Sequence, residues 1–107
     1  MTHLSPDIQN PATLLEWVGC CDDVVDFLLA QGVVQGARQD GVWTGPVAGW
    51  GWRHNRWKRD SQGRPVHTWI ALPDGDTFDA LRWAFEGTWP YVYRGPADYY
   101  VESREAA

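Results

Sequence analysis

The stretch that decides the fold is Val66-His67-Thr68-Trp69-Ile70-Ala71-Leu72-Pro73-Asp74-Gly75-Asp76-Thr77-Phe78-Asp79. Its first half, Val66–Leu72, is rich in β-branched and aromatic residues and predicts a strand. Pro73-Asp74-Gly75-Asp76 supplies the turn. Proline presets one backbone angle, aspartate bonds its own backbone, and glycine takes a positive φ. The chain then returns, and Thr77–Phe85 predicts a second strand, bent near its end. Further along, Trp89–Arg94 predicts a third short strand closed by Gly95-Pro96, with Tyr99 and Tyr100 placed to cover a sheet edge. Upstream, Asp60-Ser61-Gln62-Gly63 reads as a turn, Trp50–Arg59 as extended chain, and Val33–Ala37 and Val42–Thr44 as short strands. Glycines at 36, 41, 45, 49 and 51, with Pro46, break any helix in that region.

Before residue 33 the period changes. Asn10 suits an N-cap and Pro11 a first helical turn, so a helix is predicted with Leu14, Leu15, Trp17 and Val18 as its apolar stripe. After Gly19 a second helix is predicted from about Cys20 or Cys21 to Gln31. Asp22 and Asp23 lie in its first turn and Gly32 caps its end. Val24, Val25, Leu28 and Leu29 recur at helical spacing, and Cys21 continues that face. The expected fold is α+β: two short N-terminal helices packed on a four- to five-stranded antiparallel sheet. Residues 1–107 form one domain, with 1–32 the helical part, 33–101 the sheet and 102–107 a frayed tail.

Composition narrows the function classes. The chain has 107 residues, 44% hydrophobic, and eight of them are Trp, which points to a core of few bulky pieces or to an aromatic binding surface. No run approaches the ~20 apolar residues of a membrane span, and Met1–Asp7 has no basic start followed by an apolar block, so neither a membrane nor a secretory signal is expected. The two cysteines are adjacent, a spacing that resists a mutual disulfide, and a reducing cytoplasmic location is expected. The net charge of −5 is uneven: residues 1–36 carry five acids and no Lys or Arg, residues 37–70 have a local net of +4, and residues 71–107 have −4. An acidic shell around a basic middle argues against duplex DNA as a partner, which needs an extended basic face.

The residues that carry chemistry are Cys20 and Cys21, His67 and Asp79. A thiol at a helix N-terminus is acidified by the helix dipole and free N–H groups, although Asp22 and Asp23 oppose this. His67 opens the strongest strand and Asp79 lies on the next. If Pro73-Asp74-Gly75 forms a three-residue loop, Leu72 pairs with Asp76 and Trp69 with Asp79. His67 is then diagonal to Asp79 on the same face, ~7–8 Å apart at the backbone and within side-chain reach. If the loop is Asp74-Gly75 alone, the two fall on opposite faces.

The order Gly19-Cys20-Cys21 at a helix start, His67-Thr68-Trp69 opening a strand, then Leu72-Pro73-Asp74-Gly75 followed by Phe78-Asp79, resembles the papain-like cysteine hydrolases. The resemblance is to their compact NlpC/P60-like and transglutaminase-like branches. The stretch from His67 to Tyr100 is also similar to small bacteriophage proteins with such a hairpin. The resemblance implies a Cys-His-Asp site in which Cys20 or Cys21 is the nucleophile, His67 its base and Asp79 the orienter. It implies no cofactor, and a peptide or protein as substrate. The cysteine doublet leaves the nucleophile open, and Gln31, Gln35 or a backbone N–H near the cysteines stand as oxyanion donors.

Trp50-Gly51-Trp52-Arg53-His54-Asn55-Arg56-Trp57-Lys58-Arg59 interleaves aromatic and basic residues. It reads as a solvated amphipathic strand, as the wall of a cleft beside His67, or as a platform for single-stranded nucleic acid. Trp50, Trp52, His54, Arg56 and Trp69 are the candidate substrate-binding residues. A zinc site from Cys20, Cys21, His54 and His67 is disfavoured, because adjacent cysteines do not both point inward; no metal is expected. The rival to the enzyme is a non-enzymatic acidic protein of phage type that inhibits a host protein through a Trp-rich surface.

Overall fold

The computed structural model describes residues 10–16, 21–47 and 58–102. Two helices come first, α1 (Pro11–Glu16) and α2 (Cys21–Ala30), followed by β1 (Ala37–Trp43), β2 (Val66–Ala71), β3 (Thr77–Asp79), a third helix α3 (Arg82–Glu86), β4 (Tyr93–Gly95) and β5 (Tyr100–Glu102). The five strands form one antiparallel sheet in the order β4-β3-β2-β1-β5. This is the expected α+β architecture, with two short helices near the N-terminus and a sheet of five strands.

Local chemistry explains the helix ends. The Asn10 side chain accepts the Ala12 N–H at 3.0 Å, satisfying one donor that the first turn of α1 leaves open. At the end of α2, Gly32 N–H reaches the Leu29 carbonyl and Val33 N–H the Leu28 carbonyl, the paired bonds of a Schellman ending. That ending consumes Val33, so the strand expected at Val33–Ala37 starts only at Ala37 and runs through Val42 to Trp43 as one element.

The β2–β3 loop adopts the three-residue register. Ile70 pairs with Phe78 and Ala71 with Thr77, and Leu72 N–H bonds the Asp76 carbonyl at 2.8 Å. Gly75 N–H closes a turn on the Leu72 carbonyl, Asp74 accepts the Asp76 N–H, and Gly75 takes φ +93°, which side chains other than glycine's resist.

Three expectations need correction. The return strand does not run through Thr77–Phe85: it stops at Asp79, and Arg82–Glu86 is helical. Asp79 bends the chain by accepting the Leu81 N–H, and the helix ends at Gly87 in the left-handed region. The strand expected at Trp89–Arg94 is shifted: it starts only at Tyr93 and runs through Gly95, and Trp89 stands 76% exposed. The C-terminal segment contributes a full strand: β5 pairs with β1, Trp43 opposite Tyr100. The stretch expected to be extended, Trp50–Arg59, lies outside the described residues up to position 57. After it Arg59 bridges Pro65 around the Asp60–Gly63 turn.

Strand alternation divides the sheet into two faces. On one, Val24, Val25 and Leu28 of α2 meet Thr68, Ile70 and Phe78. Asp26 of α2 pairs with Arg38, the register partner of Ile70, at 2.8 Å. The other face carries His67, Trp69, Asp79, Tyr93, Tyr100 and Trp43, and α3 covers it with Phe85, stacked on Trp43 at 5.1 Å. Gly41, opposite His67 in the register, makes room on this face. A Cβ there would sit 2.7 Å from the tip of the Trp69 ring and 2.0 Å from the Val101 carbonyl oxygen.

Candidate active site

His67 is wholly enclosed and Asp79 is 2% exposed. The His67 Nε2 and an Asp79 carboxylate oxygen, Oδ2, are 2.6 Å apart. The adopted register brings them together: His67 sits one alternation from Trp69, on the face to which Asp79 turns. The same Oδ2 accepts the Tyr100 hydroxyl at 2.8 Å, and Oδ1 accepts the Leu81 N–H at 2.8 Å. Phe85 meets the imidazole edge-on at 4.9 Å between ring centres, with Trp69 at 6.0 Å and Tyr100 at 6.2 Å.

Burial acts to raise the Asp79 carboxyl. The charge and hydrogen bond of His67 oppose it, joined by the Leu81 N–H and the Tyr100 hydroxyl, and together they hold the group below the usual carboxylate range. An ionised carboxylate only accepts, so Nε2 carries the proton of the shared bond. Burial, and then the adjacent Asp79 charge, push the Tyr100 hydroxyl up, so it stays a donor across the working pH range.

Behind Tyr100 lies Arg82, 7% exposed, its guanidinium carbon 3.9 Å from the centre of the Tyr93 ring and 5.1 Å from that of Trp43. Its Nε donates to Glu86 at 3.2 Å. Burial works to lower this guanidinium, but Tyr100 and Glu86 outweigh it and hold it above its ordinary value. The polar line therefore runs from Arg82 through Tyr100 and Asp79 to His67, walled by aromatic rings.

The structure brings His67, Asp79 and Trp69 onto one face. Cys20, Trp50, Trp52, His54 and Arg56 lie outside the described residues, and of Cys21 the structure describes only that it opens α2. The course of α2 is informative nonetheless. Val33 and Val34, just past its C-terminus, line a groove with Leu72 and Pro73 at the hairpin loop. The helix start thus points to the opposite end of the sheet, where β2 begins and β3 ends. The apolar stripe of Val24, Val25 and Leu28 lies on the face away from His67. Gln31 and Gln35, weighed as oxyanion donors, fall at the hairpin end and are exposed, far along α2 from its start.

Sequence reasoning missed Tyr100 and Arg82. Tyr100 is 21 positions from Asp79 and reaches it only because β5 docks on the far side of β1, and no local pattern announces that. Trp89 and Tyr91 are exposed, whereas Trp83 and Phe85 are fully buried. No helix among the described residues is long and apolar enough to cross a membrane. Comparison with family models, curated proteins and solved structures finds no match.

Proposed function

We propose that the chain is a small thiol hydrolase or acyl transferase acting on an amide or ester in a peptide or protein. A thiol of Cys20 or Cys21 is the nucleophile, His67 its base and Asp79 the orienter. The observation that carries this reading is the 2.6 Å contact between His67 and a buried Asp79 that is kept ionised by two further donors. A carboxylate held in this way fixes the imidazole's tautomer and plane and stabilises the imidazolium that forms when the thiol gives up its proton. The thiolate adds to the carbonyl carbon. The tetrahedral intermediate collapses to a thioester, and His67 returns the proton to the departing amine or alcohol. Water, deprotonated by His67, then releases the acid; an amine acceptor in its place gives transfer. Trp50, Trp52, His54, Arg56 and Trp69 are proposed to hold the substrate, and a reducing cytoplasm suits the free thiols.

A thiol-reactive acyl probe tests this directly. One cysteine of the wild-type chain is expected to label rapidly, and His67→Ala to abolish that rapid phase while leaving the protein folded by circular dichroism. Equal slow labelling of both proteins sinks the enzyme reading.

A second reading draws on one observation: Trp89 is 76% exposed and Tyr91, whose hydroxyl bonds Glu86, is exposed beside it. Large aromatic side chains are frequent anchors at interfaces. On this reading the chain is a non-enzymatic binder of a host protein and the His67–Asp79 pair is a structural tie. Rapid labelling that depends on His67 excludes it.

A further inference from the structure

The line from Arg82 to His67 has a direction as well as a course. At one end the Asp79 Oδ2 atom meets two donors, the Tyr100 hydroxyl at 2.8 Å and the His67 ring at 2.6 Å. Between a guanidinium that only donates and a carboxylate that only accepts, the Tyr100 hydroxyl alone can turn either way. Its single proton goes to Asp79 as long as nothing on its other side accepts it.

Arg82 occupies that other side. Its guanidinium carbon lies 5.8 Å from the Tyr100 ring centre, and the guanidinium and the hydroxyl act on each other directly. A guanidinium has five N–H donors, no acceptor, and a charge that it does not lose in a protein. The rings of Tyr93, at 3.9 Å, and Trp43, at 5.1 Å, hold it in place.

Packing alone does not call for a charge here. Arg82 is 7% exposed, and its Nη1 meets no acceptor among the described residues. Glu86 has no oxygen to spare for it: one takes Arg82 Nε at 3.2 Å and the other takes the Tyr91 hydroxyl. A buried cation matched in this way adds little stability over an apolar side chain of similar volume. What it supplies is polarity with a fixed sense.

We propose that Arg82 is a positioning residue for the thiol site: by denying the Tyr100 hydroxyl any other acceptor, it keeps that hydroxyl on Asp79 and Asp79 turned to His67. Arg82 acts through Tyr100, not on the imidazole. The catalytic consequence rests on the proposed function; the orientation of the hydroxyl does not.

The test compares two substitutions of similar length in the full chain. Arg82→Lys keeps a cation that only donates, whereas Arg82→Gln brings an amide oxygen that accepts the Tyr100 proton. The readout is the His67 ring N–H resonance by proton NMR, which lies far downfield for a short buried bond to a carboxylate and is assigned by its loss in His67→Gln. Arg82→Lys is expected to leave that resonance in place. Arg82→Gln is expected to move it to the position it takes in Tyr100→Phe, and to add nothing when combined with Tyr100→Phe. The methyl signals of Val24 and Leu28, on the opposite face, are expected to stay unchanged, which separates reorientation from loss of fold. In acyl labelling, Arg82→Gln is expected to slow the rapid phase at least about tenfold, and Arg82→Lys to keep it. Equal shifts in the two variants, no shift in Arg82→Gln, a further shift on top of Tyr100→Phe, or loss of fold in either variant overturns the proposal, since each marks Arg82 as a residue of the packing. A wild type without a rapid labelling phase discards the hydrolase, and the resonance still decides the role of Arg82.

Discussion

The two faces of the sheet are built by different chemistry. The face under α2 is mostly aliphatic: Val24, Val25 and Leu28 lie on Ile70 and Phe78, the buried Thr68 hydroxyl donates to Asp40, and Arg38, Asp26 and Asp40 sit at the rim in solvent-facing ion pairs. The face under α3 is aromatic and polar at its centre, where His67, Asp79, Tyr100 and Arg82 form one line inside a wall of Trp43, Trp69, Phe85 and Tyr93. An aliphatic layer is non-directional and tolerates substitution that keeps volume. A buried polar line is directional: each member needs its partner, and removing one leaves another desolvated and unmatched. The α2 face holds the fold together, while the α3 face fixes the position of particular atoms.

The sharpest way to break that contrast is to remove the central charge. Asp79→Ala leaves His67 and Tyr100 without their shared acceptor, and a loss of about 3–5 kcal/mol is expected by denaturant unfolding. It also flattens the acid limb of the stability curve. The Asp79 carboxyl is depressed in the folded state, so the unfolded chain binds protons more readily. The stabilisation is fully present above the ordinary carboxylate value of about 3.9 and is lost as pH falls through the lower folded value. Wild type is therefore expected to weaken below about pH 4 more steeply than Asp79→Ala does.

On the opposite face, Leu28→Ala is expected to cost about 2–5 kcal/mol through lost burial and a cavity, with the acid limb unchanged. Combined with His67→Gln, its effect should add to within about 0.5 kcal/mol, whereas His67→Gln and Tyr100→Phe should couple through Asp79 by more than that. Additivity of both pairs, or coupling of both, would dissolve the distinction between the faces.

Tyr100→Phe removes one donor to a buried carboxylate and keeps the ring, and about 1.5–3 kcal/mol is expected. Smallest of all, Asp26→Ala breaks the exposed pair with Arg38 and is expected to change stability by less than about 1 kcal/mol, an effect that salt erases.

How much of this was legible varies by element. The hairpin was readable because its information is local: Pro73, Asp74 and Gly75 each fit one position of the loop, and the loop length fixes which residues face each other. The start of α1 and end of α2 were readable for the same reason, through Asn10 and Gly32. The segment after Asp79 was not. Every residue from Ala80 to Phe85 is buried, so no alternation of apolar and polar positions separates strand from helix, and Leu81 gives α3 no side-chain cap. Within the candidate site, the pairing of His67 with Asp79 followed from the loop. Tyr100 and Arg82 were hidden, since they arrive from β5 and α3, whose docking is a long-range event.

The sequence by itself determined the local pieces: two capped helices and a hairpin turn with two possible loop lengths, of which the structure adopts the three-residue one that brings an imidazole to a carboxylate. Only the tertiary structure decided that the carboxylate receives a phenol from the last strand and that a short helix seals the imidazole from above. Turn and cap chemistry acts between residues a few positions apart and can be read from type and spacing. Side-chain placement across a sheet depends on which distant strands pair, and that is settled by the packing of the whole chain.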